Sequence, residues 1–171
     1  MSTSEVQAIA PAVHAHAVIA QRAAPVIGLL ECLVVAGGRQ RQEMLATAAA
    51  ERGWETIVCQ DADSALRCLA QHSVRLALVD LEGGTRTRLA HLLEKLAASR
   101  GLLLIVCGNE DDAGEELWIR QLGAWLYLPG VVESSDLSAL CGEARQIAEK
   151  LEPRLTRGAS QPAQASSMPK V

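Results

Sequence analysis

The stretch "VRLALVDLEGG", Val74–Gly84, decides the reading of this chain. An apolar run interrupted only by Arg75 ends on a single carboxylate, Asp80. It then loosens through Leu81 and Glu82 into Gly83 and Gly84. A short, nearly continuous apolar run is the pattern of a strand covered on both faces, as in a parallel sheet. The glycines mark the loop by which the chain leaves the sheet. The stretch therefore delivers one carboxylate to the rim of a sheet. Its chemistry depends on what other strands bring to the same rim.

Working outward, apolar runs alternate with helical patterns. "LLECLVVAGG", "WETIVCQ", "GLLLIVCGNE" and "WLYLPGVV" read as four further strands. "RQRQEMLATAAAERG" places Met44, Leu45, Ala48 and Ala49 on one helical face and stops at Gly53. "DADSALRCLAQHS" opens on Asp61 as an N-cap, with Ala65, Leu66 and Leu69 on one face. "TRTRLAHLLEKLAASR" carries Leu89, Leu92, Leu93 and Leu96 at i, i+3, i+4 and i+7, the clearest amphipathic helix. "AGEELWIRQLGA" follows a cap at Asp111 or Asp112, and "SSDLSALCGEARQIAEKL" one at Ser134 or Ser135. Five strands alternating with five helices predict an α/β, doubly wound, five-stranded parallel sheet over residues 29–152. Residues 1–28 and 153–171 have the Ala-, Pro-, Gln- and Ser-rich composition of flexible tails.

Composition narrows the function. Net charge is −4 and the basic residues are scattered, so the chain lacks the concentrated positive face that nucleic acid requires. No run is long and apolar enough to span a bilayer, and the N-terminus lacks a signal-peptide pattern, which predicts a cytoplasmic protein. The five cysteines are odd in number, form no CxxC pair and sit mostly in apolar runs, so they read as reduced thiols. His14, His16, His72 and His91 show no metal-ligand spacing. No Ser/His/Asp or Cys/His arrangement points to a hydrolase, and no enzyme activity is expected.

Ligands of such a sheet bind beyond the carboxyl ends of its strands. The rim should collect Ala36, Gly37 and Arg39 after strand 1, Asp80 and Glu82 after strand 3, Cys107 after strand 4, and Gly130 after strand 5. Here "ALRCLAQHSVRLALVDLEGG" and "GAWLYLPGVVESSDLSAL", in this order and spacing, resemble the receiver domain of two-component response regulators over about residues 31–150. The resemblance implies a flavodoxin-like strand order of 2-1-3-4-5, with Asp80 as phosphoryl acceptor and a face made by helix 4, strand 5 and helix 5 that meets partners.

The sequence departs from the family around that aspartate. The acidic pair that holds Mg²⁺ in receivers falls at Ala36 and Gly37, the strand 4 hydroxyl at Cys107, and the lysine after strand 5 at Gly130. Of the three lysines in the chain, Lys95, Lys150 and Lys170, none lies near the rim. Phosphoryl transfer depends on positioning and on charge neutralisation by metal and cation, so a rim without them should catalyse little. Asp80 is then expected to cap a loop or to pair with Arg39, mimicking the missing lysine. Glu82, Glu110, Asp111 and Asp112 are expected to be loop charges or caps rather than metal ligands. Trp118, Trp125 and Tyr127 are candidates for the interaction surface, since such rings are enriched at binding hot spots.

The expectation is a degenerate, stand-alone receiver-like domain without a cofactor. It would bind a protein partner, such as a sensor kinase or regulatory protein, or a second copy through the helix 4, strand 5, helix 5 face. The alternative is a phosphorylatable single-domain regulator with Asp80 as acceptor and Mg²⁺ beside it.

Overall fold

The computed structural model describes residues 30–81, 86–130 and 133–157. In chain order the elements are β1 (Glu31–Val35), α1 (Arg39–Ala50), β2 (Glu55–Cys59), α2 (Ala62–Gln71) and β3 (Val74–Asp80). There follow α3 (Arg86–Ala98), β4 (Leu103–Gly108), α4 (Ala113–Leu122), β5 (Leu126–Pro129) and α5 (Ser134–Arg157). The five strands form one sheet in the order β2-β1-β3-β4-β5, and every neighbouring pair is parallel.

Strand periodicity divides the core in two. Cys32, Val34, Leu76, Leu78, Ile105 and Cys107 pack with α1 and α5 residues such as Leu45, Ala48, Leu137 and Cys141. The residues between them, Leu33, Val35, Ala77, Val79, Leu104 and Val106, pack with Ala65, Leu92, Leu93, Leu96 and Ile119 from α2, α3 and α4. Successive strand side chains point to opposite faces, so a run apolar at every position fills two cores at once. The expected helix stripe is present, with Leu92, Leu93 and Leu96 fully buried and Leu89 nearly so. Burying each such leucine contributes roughly 1.5–3 kcal/mol of transfer free energy.

Helix boundaries follow local chemistry. The Asp61 carboxylate accepts from the Ser64 amide at 2.7 Å. At α4, Asp112 rather than Asp111 supplies the cap, accepting from the Glu115 amide at 2.8 Å. That helix closes on Gly123 at φ 96°, a left-handed backbone that favours glycine. At α5 the first-turn amides of Asp136 and Leu137 return to the Glu133 carbonyl, so Ser134 and Ser135 lie inside the first turn instead of capping it. α5 also continues to Arg157, through Pro153 and past the boundary expected at 152. A proline there removes one amide donor from the ladder; the carbonyl it would have served belongs to exposed Glu149, where water can replace it. Residues 1–29 and 158–171 lie outside the described residues, as do 82–85.

Candidate functional site

β1 has β2 on one side and β3 on the other, so the chain reverses direction across the sheet between β1 and β3. A crevice opens at such a switch point, beyond the strand ends. Ala36 follows β1 there, and Asp80 ends β3, in register with Cys107 of β4. The Leu81 amide donates to the Cys107 carbonyl at 2.8 Å, which ties the exit of β3 to β4. Asp80 is almost fully buried.

An arginine meets this carboxylate, but it is Arg41. Its Nε donates to Asp80 Oδ1 at 3.1 Å, with the two side chains only 14% and 5% exposed. Arg39, the partner expected from sequence, instead pairs with Glu43 at 2.8 Å, and both are open to solvent. An exposed i,i+4 pair of that kind adds little. The reason is helical geometry: two positions along a helix turn a side chain by about 200°, so Arg39 and Arg41 face opposite ways. The sequence did carry the signal. Arg41 stands four residues before Leu45 and seven before Ala48, on the stripe that α1 buries.

Among the described residues, the rest of the rim does not fit Mg²⁺, which needs oxygen ligands in near-octahedral array. Ala36 and Gly37 offer no side-chain oxygen. The Ala36 carbonyl accepts from Gln42 Nε2 at 2.7 Å, and the Ala36 amide donates to the Cys59 carbonyl at 3.3 Å. Arg41, a cation, is already against Asp80. Among the described residues, no group of three His, Cys, Asp or Glu side chains is placed to hold a metal ion. Glu82 lies outside the described residues. Gly130 adopts φ 72°, its amide bonds to the Gly108 carbonyl at 3.0 Å, and Glu110 lies beside it. An acid therefore neighbours Gly130.

Cys107 is buried, and desolvation pushes its thiol up to about 12; nearby Arg41 opposes the shift and Asp80 adds to it. It stays protonated at neutral pH and is a poor nucleophile and a weak donor.

A second polar cluster, hidden in the sequence, sits beside the rim. Tyr127 is buried, and its hydroxyl donates to Glu115 Oε1 at 2.9 Å and lies 3.0 Å from the Asn109 carbonyl. Glu115, also buried, accepts from the Asn109 amide at 3.0 Å. Gly108 makes room for both: a methyl there would overlap Glu115 Oε1 and the Tyr127 hydroxyl. Burial raises the Tyr127 phenol well above its ordinary value of 10.0, with the Glu115 hydrogen bond acting in the same direction. A raised phenol stabilises the fold fully below about pH 10, and that contribution falls as pH rises further. Tyr127 is the only tyrosine in the chain. Alkaline spectrophotometric titration should therefore show no phenolate until the chain unfolds; a reversible phenolate signal from the folded protein near pH 10 would contradict the cluster.

The three candidate surface aromatics do not form one patch. Tyr127 and half-buried Trp118 belong to the core on the α2–α4 side, and Trp125 packs on the α1/α5 side. Arg86 of α3 stacks over the Trp118 ring at 4.6 Å. Leu117 is the apolar residue that α4 leaves most open, at 59%.

Solved structures share this architecture. NtrX from Brucella abortus, in complex with ADP, is 21% identical with a TM-score of 0.63, over 76% of this chain and 29% of that one. A CheY-like response regulator receiver domain protein from Methanospirillum hungatei is 22% identical, with a TM-score of 0.59 over 77% of this chain and 100% of that one. A receiver domain protein from Clostridium thermocellum is 18% identical, with a TM-score of 0.61 over 72% and 99%. The chain has the receiver fold. No protein-family model matches the sequence, and none of the curated proteins compared is similar to it. The chain spans less than a third of the NtrX chain. Asp80 stands at the end of β3, with Arg41 as the cation against it. Among the described residues, no helix is long and apolar enough to cross a membrane.

Proposed function

We propose that this receiver-fold chain is a cytoplasmic signalling domain that acts by binding another protein, without phosphoryl chemistry of its own. The observation that carries this reading is the buried Arg41–Asp80 pair. In a phosphorylatable receiver the acceptor carboxylate must meet a metal ion and an incoming phosphoryl group, and here a guanidinium stands against it. The pair holds the rim in one state, as a bound cation would. Ala36 and Gly37 support the same reading, because neither carries a side-chain oxygen for Mg²⁺. The partner is a sensor kinase or a regulatory protein, or a second copy of the chain, meeting the α4, β5, α5 face near Leu117 and Trp118. The free thiols Cys32, Cys59, Cys68, Cys107 and Cys141 suit a reducing compartment.

The test is incubation with acetyl phosphate and Mg²⁺, read by intact mass, with Asp80→Asn as control. The expected result is an unchanged mass for both proteins. The competing reading, a phosphorylatable regulator, is favoured by the position of Asp80 at the switch point. It predicts a phosphoryl adduct that the Asp80→Asn variant lacks, and that result would overturn the proposal.

A further inference from the structure

The rim leaves two thiols unexplained. Cys59 ends β2, and Cys68 lies in the second turn of α2, the helix that follows. Their sulfurs are 3.6 Å apart, with the Cys59 thiol donating to Cys68. Cys59 is buried, whereas Cys68 is half-buried and within reach of solvent. The other three cysteines, Cys32, Cys107 and Cys141, are deep in the opposite core.

We propose that Cys59 and Cys68 form a reversible disulfide that joins the end of β2 to α2 under oxidation by small-molecule disulfides. A disulfide needs sulfurs about 2.05 Å apart, so the two must close by about 1.5 Å. The division of labour follows from exposure. The Cys68 thiolate attacks one sulfur of a small disulfide such as oxidised glutathione, forms a mixed disulfide and releases one small thiolate. Cys59 then loses its proton to solvent and attacks Cys68 Sγ, releasing the second small thiol. Two protein thiols thus lose two electrons and two protons, and one small disulfide is reduced to two thiols.

Burial, followed by the hydrogen bond to Cys68, pushes the Cys59 thiol up to about 11. Closure should accordingly accelerate with pH, about tenfold per unit while the thiolate fraction is small. The bond would pin residues 60 and 61, which connect β2 to α2. The Cys59 carbonyl already accepts from Ala36 at the rim, so only β1 lies between the staple and the strand of Asp80.

The experiment treats the full chain with oxidised glutathione under native conditions, blocks remaining thiols with N-ethylmaleimide and maps peptides without reduction. The expected result is a Cys59–Cys68 linked peptide, loss of two alkylatable thiols and reversal by dithiothreitol. Cys59→Ser should trap a stable glutathione adduct on Cys68, while Cys141→Ser should leave the link unchanged. A persistent adduct on Cys68 in the unsubstituted chain, a link between other cysteines, or no link at all would each overturn the proposal.

Discussion

Replacing Arg41 by Met is expected to destabilise the chain by about 3 kcal/mol, the usual cost of removing one member of a buried ion pair. The Asp80 carboxylate is 5% exposed and would lose the guanidinium that meets it at 3.1 Å. Methionine is the informative substitution because Arg41 also packs against Met44, with Nη1 3.9 Å from its sulfur. It keeps an apolar stem beside Met44 and removes the guanidinium, with its charge and its donors. Asp80→Asn should cost less, about 1 kcal/mol, since an amide can still accept from Arg41, which reaches solvent more readily. The combined variant should recover much of the loss, with a coupling of about 1–2 kcal/mol between the two sites. Urea denaturation of the four proteins measures this directly. Additive losses would mean that the pair does not hold the rim, and the proposed function would lose its main support.

Gly108→Ala should cost about 2 kcal/mol, in the range typical of overpacking a filled interior. Its methyl would enter space held by Glu115 Oε1 and the Tyr127 ring and hydroxyl. The backbone at Gly108 cannot retreat easily, because its carbonyl accepts from the Gly130 amide and β4 is an interior strand. Tyr127 must then swing outward, which breaks its bond to Glu115 and leaves a buried carboxylate with one donor fewer. Two readouts follow: a lower urea midpoint, and a phenol that titrates near its ordinary value in the folded protein. Adding Tyr127→Leu should restore part of the stability, because the shorter side chain vacates the space. An unchanged midpoint and an unchanged phenol in Gly108→Ala would show that the pocket around Tyr127 is loosely packed.

The two sites were unequally legible in the sequence, and the reason is range. Asp80 was found because a strand announces its own end: the apolar run stops, a carboxylate follows, and glycines open the loop. The Glu115–Tyr127–Asn109 cluster was not found. Glu115 lies in the first turn of α4 and looks like an acid favoured at a helix N-terminus, a place where such residues are ordinarily solvated. Only the approach of β5 to the end of β4 buries it and gives it a phenol. Arg41 is intermediate, since its helical spacing places it on the buried face of α1. The identity of the group waiting there depended on how α1 docks over β3.

By itself, the sequence determined the element order, the parallel sheet, the leucine stripe of α3 and the strand end at which Asp80 stands. These follow from periodicity and turn residues, which act between near neighbours in the chain. The tertiary structure alone decided which arginine meets Asp80, that Ala36 gives its carbonyl to Gln42, and that Tyr127 lies inside rather than on the surface. It also brought Cys59 and Cys68 to 3.6 Å. Each of these depends on how side chains meet once helices have docked on the sheet, and local pattern does not encode those directions.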